Sequence, residues 1–118
     1  MTLNNMGTVK QAQGDFDGAT RLYSQALAIR QATLGDSHPD VADTLYNMAL
    51  LKRDQNLYAE ALALLQQALP IYRTVYGTVH QEVADALQKI GETAIEMGDR
   101  HLAQRHLQEA AAQFGELL

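Results

Sequence analysis

The sequence predicts an all-α fold, a short solenoid of about three helix-turn-helix units, and two observations carry that prediction. Residues 42 apart repeat in type along the chain: Leu3, Leu45 and Leu87; Ala19, Ala61 and Ala103; Ala26, Ala68 and Ala110; with Thr2/Thr44, Asn5/Asn47, Ile29/Ile71, Gly35/Gly77, His38/His80 and Asp43/Asp85 at the same offset. A period of about 20 to 50 residues marks an array whose units bury their apolar faces on one another. Within each period, apolar residues fall at helical spacing twice, and a turn residue follows each run. The chain therefore reads as one domain over residues 1–118, with units at about 1–38, 39–80 and 81–118. Each unit has a first helix, A, and a second, B.

Unit one begins almost at the start of its helix A, and Gly14 stops that helix. Asp15-Phe16-Asp17-Gly18 then turns the chain into helix B, which ends at Gly35. In unit two, Pro39 suits the first helical turn, where its missing N–H costs no bond, and Asp40 complements the helix dipole. Val41, Leu45, Met48 and Ala49 form the apolar stripe of a helix A over about 39–54, closed at Gln55 and Asn56. Ala61, Leu65, Ala68, Tyr72 and Val75 form the stripe of helix B, and Leu64, Leu69, Ile71 and Tyr76 widen it, so this helix should be covered on two sides. Pro70 removes one of its hydrogen bonds and predicts a bend, at a cost of about 3 kcal/mol unless packing compensates. Unit three keeps the helix stop at Gly98 but carries Arg100 in place of Phe16 and Tyr58, and His106 in place of Leu22 and Leu64, which predicts a partial cap. Small residues recur where helices should approach closely: Gly7, Ala49 and Gly91 in the A helices, and Ala19, Ala26, Ala61, Ala68, Ala103 and Ala110 in the B helices.

The small and large positions Leu45, Met48, Ala49, Tyr58, Ala61, Leu65 and Ala68 resemble the tetratricopeptide repeat (TPR), over nearly the whole chain. The usual repeat has 34 residues, and the 42 here resemble the kinesin light chain type, as does the stretch LGDSHPDVADTLYNMALLKRDQNLYAEALALLQQAL at 34–69. Eight extra residues at about 1.5 Å each would lengthen helix B by roughly 12 Å. Lys10, Lys52 and Ala94 depart from the family, standing where an aromatic residue is common. The resemblance implies a right-handed superhelix with the A helices on its concave side and a groove there for an extended or short helical peptide. Carried over position by position, the groove comprises Asn4, Asn5, Thr8 and Gln11 in unit one, Asp43, Tyr46, Asn47, Leu50, Arg53 and Asp54 in unit two, and Asp85, Gln88, Lys89, Glu92 and Glu96 in unit three. Asparagine suits such a groove because its amide both donates to and accepts from a peptide backbone. The family's paired asparagines persist as Asn4 and Asn5, become Tyr46 and Asn47, and are lost at Gln88 and Lys89.

Composition narrows the function classes. A net charge of −5 with nine scattered basic residues argues against a nucleic-acid surface. No apolar run of about 18 residues is present, and the first ten residues lack the apolar core of a signal peptide, so neither a membrane partner nor secretion is expected and the cytoplasm is the default setting. Zero cysteines remove disulfides, thiolate metal sites and cysteine nucleophiles together. The expected partner is thus a protein or peptide, with no cofactor, no metal and no catalytic residue.

Weaker constellations read structurally. His38 and His80 are repeat equivalents at the starts of A helices and read as turn or cap residues. His101 and His106 are five apart, whereas a chelating helical pair wants i, i+4. The Asp15–Gly18 turn resembles the start of a calcium loop but lacks its third acid and its glutamate. Glu92 and Glu96 have the spacing of a carboxylate pair, a basis for a metalloenzyme that nothing else supports. Leu102, Leu107, Phe114, Leu117 and Leu118 read as an apolar face at the C-terminal end. Terminal repeats need a polar outer side, so the chain reads either as a piece of a longer array, the favoured expectation, or as a homo-oligomer or structural spacer joined through its exposed terminal faces.

Overall fold

The structure, a computed structural model, describes residues 2–77 and 79–117, the last two of them by backbone alone. Among the described residues lie six helices: α1 (Leu3–Ala12), α2 (Phe16–Leu34), α3 (Pro39–Asp54), α4 (Tyr58–Tyr76), α5 (Gln81–Met97) and α6 (Arg100–Leu117). The odd-numbered helices are the A helices and the even-numbered ones the B helices of three successive hairpins. Each helix packs on the one before and the one after it, and α1 also touches α3. That serial contact order makes the molecule an α-solenoid.

The helix ends follow from local chemistry that repeats with the period. His38 and His80 cap α3 and α5: the Nδ1 of each accepts the backbone N–H two residues on, from Asp40 at 3.0 Å and from Glu82 at 3.1 Å. Thr2 and Asp15 do the same for α1 and α2, accepting from the N–H of Asn5 at 3.1 Å and of Gly18 at 2.9 Å. At the A-to-B turns, Gly14, Asn56 and Gly98 occupy one repeat position with φ of +79°, +62° and +79°, the left-handed conformation that closes a helix. Helix α4 runs through Pro70, whose ring lies on the exposed side. Gln66, whose carbonyl loses the bond, is exposed too and open to water.

The core is shared between units. Val41, Leu45, Ala49, Ala61, Leu65, Ala68, Tyr72, Val83, Leu87 and Ile90 form one cluster across units two and three, and Ala19, Tyr23 and Leu51 form a second across units one and two. Each fully buried Leu or Val in these layers stabilises by roughly 1.5–3 kcal/mol. Glycine sets the closest approaches: a Cβ on Gly7 would lie 2.7 Å from Tyr23 Cε1, and one on Gly91 would lie 2.5 Å from Leu107 Cγ. Buried hydroxyls are satisfied, Thr44 by Arg30 at 2.8 Å, a bond that ties α2 to α3, and Thr93 by the Lys89 carbonyl at 2.6 Å.

Two sequence expectations are corrected. Val75 and Tyr76 are exposed, so the last turn of α4 is not covered on two sides; Tyr76 instead stacks on Tyr72 and His80, with ring centroids 6.1 and 4.2 Å apart. The apolar residues of α6 do not make an open end face: Leu107 sits over Gly91, Phe114 packs on the main core cluster, and Leu102 is half-buried. Their stripe faces inward because unit three must bury its own hairpin before it can offer anything to a neighbour. Leu118, and the side chain of Leu117, lie outside the described residues.

Candidate functional site

The A helices carry the candidate residues on one stripe each, and side-chain bonds join the three stripes into a polar band. Between α1 and α3, Asn47 Nδ2 donates to Asn4 Oδ1 at 3.3 Å and Gln11 Nε2 donates to Asp54 Oδ2 at 2.7 Å. Between α3 and α5, Arg53 reaches Glu92 Oε2 at 3.3 Å, and Lys89 Nζ meets the same oxygen at 3.3 Å. Gln88 donates to the other Glu92 oxygen at 3.2 Å. Burial alone would raise the Glu92 pKa, but the hydrogen bonds from Gln88, Lys89 and Arg53 outweigh it and hold the carboxyl below its ordinary value. Arg53 Nε is buried and has no acceptor among the described residues.

Thr8, Gln11, Ala12, Tyr23, Asn47, Leu50 and Asp54 line a cleft of about 260 Å³ in the α1–α3 part of the band. Its floor is set from behind by a residue the sequence reading did not single out. Tyr23 of α2 is buried, and its hydroxyl donates to Gln11 Oε1 at 3.0 Å and lies 3.1 Å from Thr8 Oγ1. Tyr72 of α4 serves unit two in the same way, donating to Asp43 Oδ1 at 2.6 Å. No repeat regularity marks either tyrosine, since the equivalents are Leu65 and Leu107 for Tyr23, and Arg30 and Phe114 for Tyr72.

The α3–α5 part is electronegative at its N-terminal half. Tyr46 is half-buried, and burial first, then the charges of Asp85, Glu92 and Glu82, push its phenol up to about 12, with Arg53 opposing. Burial and the bond to Asp43 push Tyr72 further in the same direction. Glu82 is raised as well, by burial and then by Asp43 and Asp85, with His80 opposing. Burial is the largest cause in all three, and the nearby carboxylates add to it, a field that favours an incoming cation.

Asn5, Tyr46, Leu50, Asp85 and Glu96 make none of the band's bonds. Asn5 is exposed, and Glu96 is exposed at the last turn of α5. Asp85 accepts from Gln81 at 2.8 Å within its own helix. The Glu92–Glu96 pair does not converge on a shared site, because Glu92 is taken by Arg53, Lys89 and Gln88. No group of three or more metal-ligating side chains that could hold an ion occurs among the described residues. His106 Nδ1 lies 3.0 Å from the Leu102 carbonyl, in keeping with a structural role.

The tetratricopeptide repeat family model matches the chain twice, over residues 1–74 and 40–115. No curated protein matches closely enough to count as a relative. Among solved structures, BtubC (BKLC) from P. vanneervenii superposes with a TM-score of 0.90 at 19% identity, covering 98% of this chain and 46% of its own. Nearly identical TPR-like repeats of a protein described as a Podosopora anserina kinesin light chain superpose with a TM-score of 0.86 at 21% identity, covering 98% of this chain and 55% of theirs. A substituted form of the same repeats gives 0.87 at 21% identity and the same coverage. The chain spans about half the length of each, and at these identities the likeness fixes the fold, the right-handed α-solenoid expected from the sequence.

Proposed function

The chain belongs to the tetratricopeptide repeat family, and on that premise we propose that it holds a peptide segment of a partner protein against the band formed by α1, α3 and α5. Repeats of this family are in general protein-interaction modules and a non-catalytic scaffold type. The observation that supports the finer reading is the joining of the three A-helix stripes across unit boundaries, Asn4 to Asn47 at 3.3 Å and Arg53 to Glu92 at 3.3 Å, because a preformed surface spares the receptor the cost of ordering loops. Asn4, Asn5 and Asn47 supply amides for a peptide backbone, Tyr46 an apolar body with a polar tip, and Thr8, Gln11, Leu50 and Asp54 the cleft beside them. Asp43, Asp85 and Glu96 favour a segment with positive charge, while Arg53, held by Glu92 over Gln88 and Lys89, selects an acceptor within it. The effect of these part-exposed and exposed acids is modest because solvent screens them.

No helix among the described residues is long and apolar enough to cross a membrane, and the reading sets the module in the cytoplasm. The test is a display-library peptide selection against the chain and, in parallel, against Asn47→Ala plus Arg53→Ala. Enrichment of a shared motif that the double variant no longer selects is the expected result. A motif enriched equally by both proteins would place the binding surface elsewhere, and equal binding of an acidic version of the motif would remove the charge preference.

A further inference from the structure

The cleft between units one and two lacks the cations that the same positions carry at the next unit boundary. Gln11, Tyr23, Asn47, Leu50 and Asp54 are among the residues that line its volume of about 260 Å³. One period on, between units two and three, these positions are Arg53, Leu65, Lys89, Glu92 and Glu96. There Arg53 and Lys89 both meet Glu92 Oε2, each at 3.3 Å, so the chain's own basic side chains neutralise an acid inside the band. In the first cleft both basic positions have become amides, Gln11 and Asn47, while an acid remains at Asp54.

Asp54 is the last residue of α3, at the end where the helix dipole disfavours a negative charge and favours a positive one. Among the described residues no cationic group lies within ion-pair distance of it. Its donor is the neutral amide of Gln11, at 2.7 Å. Gln11 is held from behind in turn, its Oε1 accepting from the buried Tyr23 hydroxyl at 3.0 Å, so the carboxylate is oriented at the cleft. Half-buried Leu50, with Ala12, gives the cleft an apolar wall. Its volume falls below the roughly 300–1,000 Å³ of small-molecule sites and suits one side chain. We propose that this cleft is the subsite for a lysine side chain of the bound segment, its methylene stem along Leu50 and Ala12 and its ammonium on Asp54. The ammonium gives Asp54 a charged donor where Gln11 now gives a neutral one, and charge-assisted bonds are about twice as strong. The inference rests on the peptide-binding reading and adds to it the place and kind of one contact.

The probe is N-acetyl-lysine methylamide, titrated at low salt into the isotope-labelled chain and followed by NMR, with N-acetyl-norleucine methylamide as the uncharged control. The lysine probe is expected to shift the side-chain amide signals of Gln11 and Asn47 saturably, and the norleucine probe to bind about three- to fivefold more weakly. Asp54→Asn, isosteric and at an exposed position, should weaken lysine binding by about the same factor. Gln11→Arg copies Arg53 into unit one and should abolish lysine binding by giving Asp54 an internal cation. Equal binding of the two probes overturns the proposal, as does a lysine probe that shifts neither amide or that binds Asp54→Asn as well as the parent. In the display selection, a motif that depends on Asn47 and Arg53 but holds no basic residue at a fixed place overturns this subsite and leaves the peptide reading standing. Absence of any motif, with the lysine probe still seated in the cleft, supports the subsite and removes the peptide reading.

Discussion

Gly7→Ala should destabilise the protein even though alanine is the better helix former, and the sign of the effect should depend on Tyr23. Propensity alone predicts a gain of about 1 kcal/mol in a helix interior. The new Cβ, however, would lie 2.7 Å from Tyr23 Cε1 and 2.8 Å from Cδ1, against an ordinary carbon–carbon separation of about 3.5–4.0 Å. One partner must therefore retreat by roughly 1 Å. Tyr23 is 1% exposed and is tethered at its hydroxyl to Gln11 and Thr8, so the strain should cost about 1–3 kcal/mol as overpacking does elsewhere. The net expectation is a loss near 1 kcal/mol, read as a lower urea midpoint at unchanged m-value. Unit two supplies the control, because the same two positions there are Ala49 and Leu65, both fully buried. In the Tyr23→Leu background, which recreates that pairing, Gly7→Ala should become neutral or stabilising, a coupling of about 1–2 kcal/mol in the double-mutant cycle. A single variant more stable than the parent, or additive effects in the cycle, would refute the claim that Gly7 is there to admit the Tyr23 ring.

Other consequences can be checked with the same material. His38→Ala and His80→Ala should each cost about 1 kcal/mol by removing the acceptor for the N–H of Asp40 or Glu82, measured as a fall in Tm. Asn56→Ala should cost about 1–2 kcal/mol because Asn56 has φ +62°, a conformation that penalises an ordinary side chain, and a urea midpoint equal to the parent's would count against it. In an alkaline titration followed by tyrosinate absorbance, Tyr46 should ionise near 12 in the folded protein instead of near 10.0. Between those values the unfolded chain releases the proton and the folded chain keeps it, so this residue makes stability fall as pH rises through that window; Asp85→Asn should shift the ionisation downward.

What the sequence made legible was whatever is local and repeated. The caps at His38 and His80 and the stops at Gly14, Asn56 and Gly98 each act within two or three residues and recur at one offset, so a single chain displays them as a pattern. The candidate band was legible only by position. Tyr23 and Tyr72, which fix Gln11, Thr8 and Asp43 from behind, reach across to a different helix, 12 and 29 residues away for Gln11 and Asp43. Neither has a tyrosine at its repeat equivalents, so the repeat carries no trace of their hydroxyls. The α6 end misled for a related reason. An apolar stripe announces that something covers it but not what, and for Leu107 the cover was the vacancy left by Gly91.

The band's bonds also bear on how a groove there would discriminate. Asn4 with Asn47, Gln11 with Asp54, and Gln88 and Lys89 with Glu92 already satisfy one another. A peptide would therefore exchange these bonds instead of adding to them, and an exchanged hydrogen bond contributes little net affinity, while one left unmade costs about 1–3 kcal/mol. Recognition on such terms works mainly by rejecting segments that cannot replace what they displace. Arg53 Nε is the exception, buried without an acceptor among the described residues while the terminal nitrogen of the same guanidinium is fixed to Glu92. An acceptor could reach it only if the side chains that cover it moved aside. Unit three, which has lost the paired asparagines, would then contribute by aiming Arg53: Glu92, itself oriented by Gln88 and Lys89, sets the guanidinium at the α3–α5 boundary beside the half-buried, neutral Tyr46.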